Sequence, residues 1–189
     1  MRALILNGSV RPIGNCGNLI GDILEEFEKE GIEAIQVPLY DYHFTPCNHC
    51  LSCEVRGDGL CMDTDDGTNE ILSVMREADV ILFVCPGYAG GIPGVMKLFM
   101  EKASLILEKS KQGLHGKYGA AITVSEHDGA ESVYMQLVYW MLRAEMLVVG
   151  AHPLPVFRAR VSPEYLDDKE AMKGVKNLIA HLTELSEKS

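Results

Sequence analysis

Short unbroken apolar runs alternate along this chain with longer stretches in which apolar residues recur every third or fourth position. The first pattern predicts buried strands and the second predicts amphipathic helices. Arg2 to Asn7 (RALILN) is an apolar run closed by Gly8. Asn15 to Glu30 carries Leu19, Ile20, Ile23, Leu24 and Phe27 at helical spacing and stops at Gly31. Ile32 to Val37 alternates like a half-buried edge strand and ends at Pro38. Thr68 to Ala78 reads as a short amphipathic helix. Asp79 to Cys85 (DVILFVC) is apolar almost throughout, as in a central parallel strand. A helix over Gly94 to Ser110, a strand over Tyr118 to Ser125 (YGAAITVS) and a helix over Glu131 to Met146 follow. Leu147 to His152 (LVVGAH) predicts a fifth strand, and Asp167 to Glu187 a closing helix.

Five such units predict one α/β domain over residues 1–189, with helices on both faces of a five-stranded parallel sheet. A chain of 189 residues has room for one such core. In sheets of this kind ligands bind beyond the carboxyl ends of the strands, near the switch in strand order. The loops after strands one, three and four are therefore the places to look. Residues 40–67 depart from the pattern, because they show no clear element and are too long for a plain connection.

The loop after the first strand is Gly8-Ser9-Val10-Arg11-Pro12-Ile13-Gly14-Asn15-Cys16-Gly17-Asn18. Glycines permit tight turns, the polar side chains offer hydrogen bonds, and free N–H groups at the following helix N-terminus suit a phosphate. It is not a GxGxxG fingerprint, since the first two glycines are six apart. It is not a Walker A loop either, because Asn15 stands where Lys is required. A polar capping turn is the competing explanation. After the third strand comes Pro86-Gly87-Tyr88-Ala89-Gly90-Gly91-Ile92-Pro93-Gly94, whose backbone is open to a flat ligand. After the fourth comes Ser125-Glu126-His127-Asp128-Gly129-Ala130, with His127 either facing a ligand or exposed. A response-regulator reading is excluded by Asn7 and Pro86 at the strand ends where acidic residues are needed.

Composition changes the picture in three ways. Hydrophobic residues at 47% and charged residues at 23% are ordinary globular values and exclude wholesale disorder. A net charge of −10 argues against nucleic acid and anionic membrane as partners. The first residues lack a long apolar signal region, and no apolar run approaches a membrane span, so a cytoplasmic protein complete from its first residue is expected. Six cysteines in such a compartment argue against structural disulfides. Cys47, Cys50, Cys53 and Cys61 fall within fifteen residues, which favours a metal centre. A tetrahedral zinc, with His43 or His49 as substitute ligands, a vestigial unmetallated set and a buried helical stripe are the alternatives. Pro46, Gly57 and Gly59 oppose a long helix there. Arg56 either offsets the charge of such a centre or is simply solvated.

Gly8-Ser9-x-Arg11-x-x-Gly14-Asn15, Pro86-x-Tyr88-x-Gly90 with a later Lys97, and the Ser125–Gly129 loop together resemble the NAD(P)H-dependent FMN reductase family of the flavodoxin-like superfamily. The resemblance implies a flavodoxin-like three-layer sandwich of strand order 2-1-3-4-5. It implies FMN bound by Ser9, Arg11, Asn15, Cys16, Gly17, Asn18, Pro86, Gly87, Tyr88, Ala89, Gly90, Ser125 and Gly129. The family usually has Thr or Ser where Cys16 stands; a thiol is the poorer donor, so the backbone N–H of Cys16 is the dependable contact. A helix N-terminus lowers a thiol pKa, whereas packing under the loop leaves it inert. The cysteine spacing resembles the iron–sulfur flavoproteins of the same superfamily, which implies a [4Fe–4S] cluster on Cys47, Cys50, Cys53 and Cys61. The expected activity is that of a flavin-dependent oxidoreductase passing electrons between the two centres at one end of the sheet. NAD(P)H is the candidate donor and a ferredoxin-like protein the candidate partner. No catalytic side chain is required, because the flavin carries the chemistry. The helix over Glu131 to Met146 is apolar nearly all round, so a homodimer or homotetramer is expected, as in the family. Arg158 and Arg160 lie in a stretch, Pro153 to Pro163, that is a candidate substrate entrance.

Overall fold

The computed structural model describes residues 1–111 and 113–186. Their order is β1 (Arg2–Asn7), α1 (Asn15–Lys29), β2 (Glu33–Pro38), α2 (Ser52–Arg56), α3 (Thr68–Glu77), β3 (Val80–Pro86), α4 (Gly94–Glu108), β4 (Tyr118–Ser125), α5 (Ala130–Arg143), β5 (Leu147–Val148), β6 (Val156–Arg158) and α6 (Lys169–Ser186). The expected helix end at Glu187 lies outside the described residues. The sheet is parallel and runs β2-β1-β3-β4-β5, the flavodoxin-like order.

Strand periodicity explains how the sheet makes two cores. Alternate residues of a strand point to opposite faces. Leu4, Leu6 and Phe83 join Met96, Phe99 and Trp140 on the face covered by α3, α4 and α5. Ile5, Leu82, Val84 and Ile122 join Leu19, Ile23, Leu178 and Leu182 under α1 and α6. All seven residues of β3 are buried, which accounts for its continuous apolar run. Each fully buried Leu, Ile or Phe contributes roughly 1.5–3 kcal/mol. Helix α1 ends as its sequence requires. Gly31 takes a left-handed φ of 70°, its N–H donates to the Glu28 carbonyl, and the Ile32 N–H donates to Phe27 O at 2.8 Å.

Two expectations are corrected. The sheet has six strands, not five, among the described residues. The expected strand over Leu147 to His152 pairs with β4 only at Leu147 and Val148. The chain then leaves, and β6 takes over the far half of the same β4 edge, pairing Val156, Phe157 and Arg158 with Thr123, Val124 and Ser125. A three-residue strand between prolines and arginines is too short for an alternation signal. The second correction concerns residues 40–67. They begin within a 3-10 turn at Leu39–Asp41 and contain α2, and Cys53 is the sole cysteine of the four inside a helix.

Helix α5 buries Val133, Tyr134, Leu137, Trp140 and Met141 but leaves Met135, Tyr139 and Leu142 exposed. Among the described residues no helix is long and apolar enough to cross a membrane.

Candidate functional site

At the carboxyl ends of β1, β3 and β4 lies a cavity of about 410 Å³. Ser9, Arg11, Asn15, Cys16, Pro86, Gly87, Tyr88 and Ser125 line it. Thus one depression gathers members of all three loops after the central strands. Helix α1 opens it without a side-chain cap, so the first N–H groups of the helix have no partner in the helix itself. Together with the Arg11 guanidinium they form an electropositive end suited to a phosphate. Ser9 is held in place: its N–H donates to Asn7 Oδ1 at 2.9 Å, and its Oγ accepts from the Arg11 N–H at 3.2 Å.

The second loop supplies a flat wall. The Tyr88 and Gly91 backbones exchange two hydrogen bonds of 3.0 Å around a turn in which Ala89 and Gly90 both have positive φ. The Tyr88 hydroxyl oxygen is buried and has no hydrogen-bond partner among the described residues. The uncapped helix and the glycine-rich wall fit a planar polar ligand with an anionic tail, which is the shape of FMN.

The remaining candidates lie around the cavity and do not line it. Gly17 packs so closely beneath the loop that a Cβ there would stand 2.0 Å from the Pro12 carbonyl oxygen. Asn18 Nδ2 donates to Ser162 Oγ at 2.6 Å. Gly129, with φ 89°, brings its loop against Gly90, where a Cβ would sit 2.7 Å from the Gly90 Cα. His127 is exposed beside Glu126, and Lys97 faces the groove between α4 and α5. Cys16 is buried, and burial pushes its thiol up to about 12 against a smaller opposing backbone hydrogen bond. It is a packing residue and stays protonated at neutral pH.

The stretch Pro153 to Pro163, expected only as a candidate entrance, supplies a wall of this cavity. Ala159, Arg160, Val161 and Ser162 line it because β6 carries them to the end of β4. Arg158 Nη1 donates to Ser125 Oγ at 2.8 Å and its other Nη pairs with Glu131. Arg160 Nε pairs with Glu126 at 3.2 Å. The segment is clasped onto α1. Asn15 Oδ1 accepts the Tyr165 N–H at 3.4 Å, and the Tyr165 hydroxyl donates to Asp22 at 2.7 Å. Burial, then the Asp22 carboxylate, push the Tyr165 phenol up to about 12.

The cysteine segment forms a second cavity, of about 90 Å³. Cys47, Cys50, Cys53 and Cys61 all line it and none is in a disulfide. His49 and Leu51 adopt left-handed φ of 52° and 60°, and Gly57 and Gly59 follow at 62° and 76°. These reversals wrap the chain around the cavity; for His49 and Leu51 they carry backbone strain. Among the described residues no three His, Cys, Asp or Glu side chains already stand in metal-holding geometry. The thiols are therefore gathered on one wall set but not drawn together. The Cys50 thiol is held below its ordinary pKa by hydrogen bonds from Ser52, whereas burial raises that of Cys61.

The two cavities share no lining residue, which corrects the expectation of two centres at one end of the sheet. The cysteine segment lies along α4 against Lys102, Leu105, Ile106 and Lys109. At 1.5 Å per residue these positions lie roughly 12–22 Å along the helix from Gly94. Arg56 is exposed, as a solvated side chain would be, and its charge reaches the Cys50 thiol; it also donates to Leu60 O at 2.9 Å and pairs with Asp58 at 3.0 Å, pinning the returning chain. Asn69 holds Cys61 by two backbone hydrogen bonds, of 2.7 and 3.1 Å. Lys102, which sequence reasoning missed, is buried and pairs with Asp66 and Asp63. Its signal was present, since Phe99, Lys102, Ala103 and Ile106 fall on one helix face.

Three comparisons bear on this geometry. Residues 1–157 match the family described as NADPH-dependent FMN reductase. An iron–sulfur flavoprotein of Methanocaldococcus jannaschii is 34% identical over 152 residues, covering 79% of this chain and 76% of its own. Among solved structures, RosB with a bound 8-demethyl-8-formylriboflavin-5'-phosphate intermediate superposes with a TM-score of 0.76 at 22% identity. That match covers 100% of this chain and 81% of RosB. A flavodoxin from the domain Archaea superposes with a TM-score of 0.60 at 17% identity, covering 95% of both chains. These two likenesses speak for the fold.

Proposed function

The chain belongs to the NADPH-dependent FMN reductase family, in its iron–sulfur flavoprotein branch, and from that premise we propose an electron-transfer flavoprotein that exchanges electrons between FMN and a [4Fe–4S] cluster. Membership makes it a flavin-dependent oxidoreductase; the cluster and its ligands are our inference. The observation that carries it is the convergence of Cys47, Cys50, Cys53 and Cys61, all free thiols, on one cavity. FMN supplies hydride and single-electron chemistry when bound, and a cubane cluster on four thiolates adds single-electron exchange.

The protein's own groups bind and orient. The open N-terminus of α1, Ser9, Arg11 and the backbone of Asn15, Cys16 and Gly17 hold the phosphate. The backbone of Pro86 to Gly90 would pack along the isoalloxazine of bound FMN and hydrogen-bond its polar edge. Ser125, held by Arg158, closes the far side, and Gly129 lets the third loop approach the second. Asn18 acts indirectly, by tying Ser162 to α1. NAD(P)H is the proposed donor and a small redox protein of the ferredoxin kind the proposed partner. The exposed stripe of Met135, Tyr139 and Leu142 supports a homodimer or homotetramer, for which sedimentation at micromolar concentration is the check.

An anaerobic absorption spectrum tests the reading. Flavin bands with a broad shoulder bleached by dithionite are expected. Cys50→Ala should abolish the shoulder and spare the flavin. Flavin bands alone would identify an NAD(P)H-dependent FMN or quinone reductase without a cluster. A colourless protein with stoichiometric zinc would overturn the redox assignment in favour of a zinc-stapled module.

A further inference from the structure

Lys102 presents a problem of its own. Its residue is 3% exposed, in the middle of α4, on the face that also buries Phe99, Ala103 and Ile106. An ammonium group cannot be left there without partners. Three groups meet it. Nζ donates to Asp66, to Asp63 Oδ2 at 2.9 Å and to Thr45 Oγ1 at 3.0 Å. Thr45 Oγ1 in turn donates to Asp63 Oδ2 at 2.9 Å, which closes a ring.

The place of that ring matters more than its strength. Thr45 stands two residues before Cys47, and Asp63 two residues after Cys61. The ring therefore ties together the two ends of the segment that carries all four cysteines, and fastens both to α4. Lys102 also lines the cysteine cavity, and its charge, though bonded to the ring, reaches the Cys61 thiol. Buried ion pairs often stabilise a fold no better than apolar residues of the same volume, so stability is a weak reason for this one.

We propose that Lys102 is a positioning residue for the four-cysteine centre: it clamps the neck of the cysteine segment through Thr45 and Asp63, and supplies positive charge on the buried side of its wall. The proposal rests on the cluster reading above. Four thiolates around an iron–sulfur core carry net negative charge, and reduction adds one more. Without Lys102, the carboxylates of Asp63 and Asp66 would stand beside that charge uncompensated. Lys109 and Glu54, which also line the cavity, pair with each other at 3.1 Å on its exposed side and leave the inner position to Lys102.

The test uses the full chain, purified anaerobically with FMN, as wild type, Lys102→Met, Lys102→Arg and Thr45→Val. In Lys102→Met the reduced-to-oxidised ratio of the cluster at a fixed applied potential should fall about tenfold, which is 59 mV for a one-electron couple. Loss of the cluster to an added iron chelator should be about tenfold faster, while FMN content is unchanged. Lys102→Arg keeps the charge and should hold the potential while loosening the clamp. Thr45→Val should speed cluster loss about twofold and leave the potential alone. A loaded Lys102→Met protein with wild-type potential and wild-type chelator resistance overturns the proposal. If Lys102→Met does not fold, unchanged cluster loss in both Thr45→Val and Lys102→Arg overturns it instead. Wild-type protein without iron and sulfide sinks the cluster reading and this proposal with it, an outcome distinct from failure of Lys102 alone.

Discussion

The strand-end cavity and the cysteine cavity occupy the same small domain but are built by different means. The first is framed by backbone. Its loops leave the ends of β1, β3 and β4, whose positions are fixed by ladder hydrogen bonds and two buried faces. Its close contacts are made at glycines, where no side chain intervenes. The second is framed by side chains. A chain with one five-residue helix is held by Lys102, Asn69, Arg76 and Arg56, each reaching to a carboxylate or a carbonyl. A backbone-framed site is more sensitive to added volume than to a lost charge. A side-chain-framed site shows the reverse.

The largest expected effect strikes both sites at once. Phe83 is fully buried on β3 and meets Trp140 edge-on, with ring centroids 5.5 Å apart. Phe83→Ala should cost about 3–5 kcal/mol. Urea unfolding should show FMN release and protease cleavage within residues 47–61 shifting together. If one moves without the other, the two regions are independent units and the comparison fails. A smaller change should separate them. Gly17→Ala places a Cβ against the Pro12 carbonyl oxygen at 2.0 Å, and backbone must shift. A cost of about 2 kcal/mol corresponds to a roughly thirtyfold loss of FMN affinity, read by fluorescence titration, with iron content unchanged.

The smallest effect concerns the clasp on α1. Tyr165→Phe removes the hydrogen bond to Asp22 and should cost about 1 kcal/mol. Its pH dependence has a definite sign. The folded phenol titrates at about 12, above the ordinary tyrosine value of about 10. Its contribution is therefore complete below about pH 10 and fades as pH rises toward the folded value. Thermal melts at neutral and alkaline pH should show a loss in wild type that the Phe variant lacks. Equal alkaline losses in both proteins would remove Tyr165 from the clasp.

How much of this was legible depends on the range over which each feature is decided. Strands β1 and β4 appear in the sequence with their observed ends, because burial on both faces writes a continuous apolar run. The Schellman ending of α1 is equally legible in Gly31. Strand β5 was read too long, since LVVGAH carries the apolar signal but β4 offers it only two pairing positions. Lys102 was passed over because a lysine within a helix is commonly solvated, and its partners Thr45 and Asp63 lie 57 and 39 residues away.

By itself, then, the sequence determined the alternation of elements, the glycine loops that close on strand ends, and the clustering of four thiols within fifteen residues. All three are local, set by periodicity, backbone freedom or spacing along the chain. Tertiary structure alone decided that β6 completes the strand-end cavity, that Asn18 meets Ser162 across 144 residues, and that the cysteine segment lies down α4 rather than at the sheet's carboxyl end. The physical reason is common to them. Hydrophobic periodicity reports that a residue is buried, but the partner of a buried polar group is chosen by which distant segments the packed sheet brings beside it.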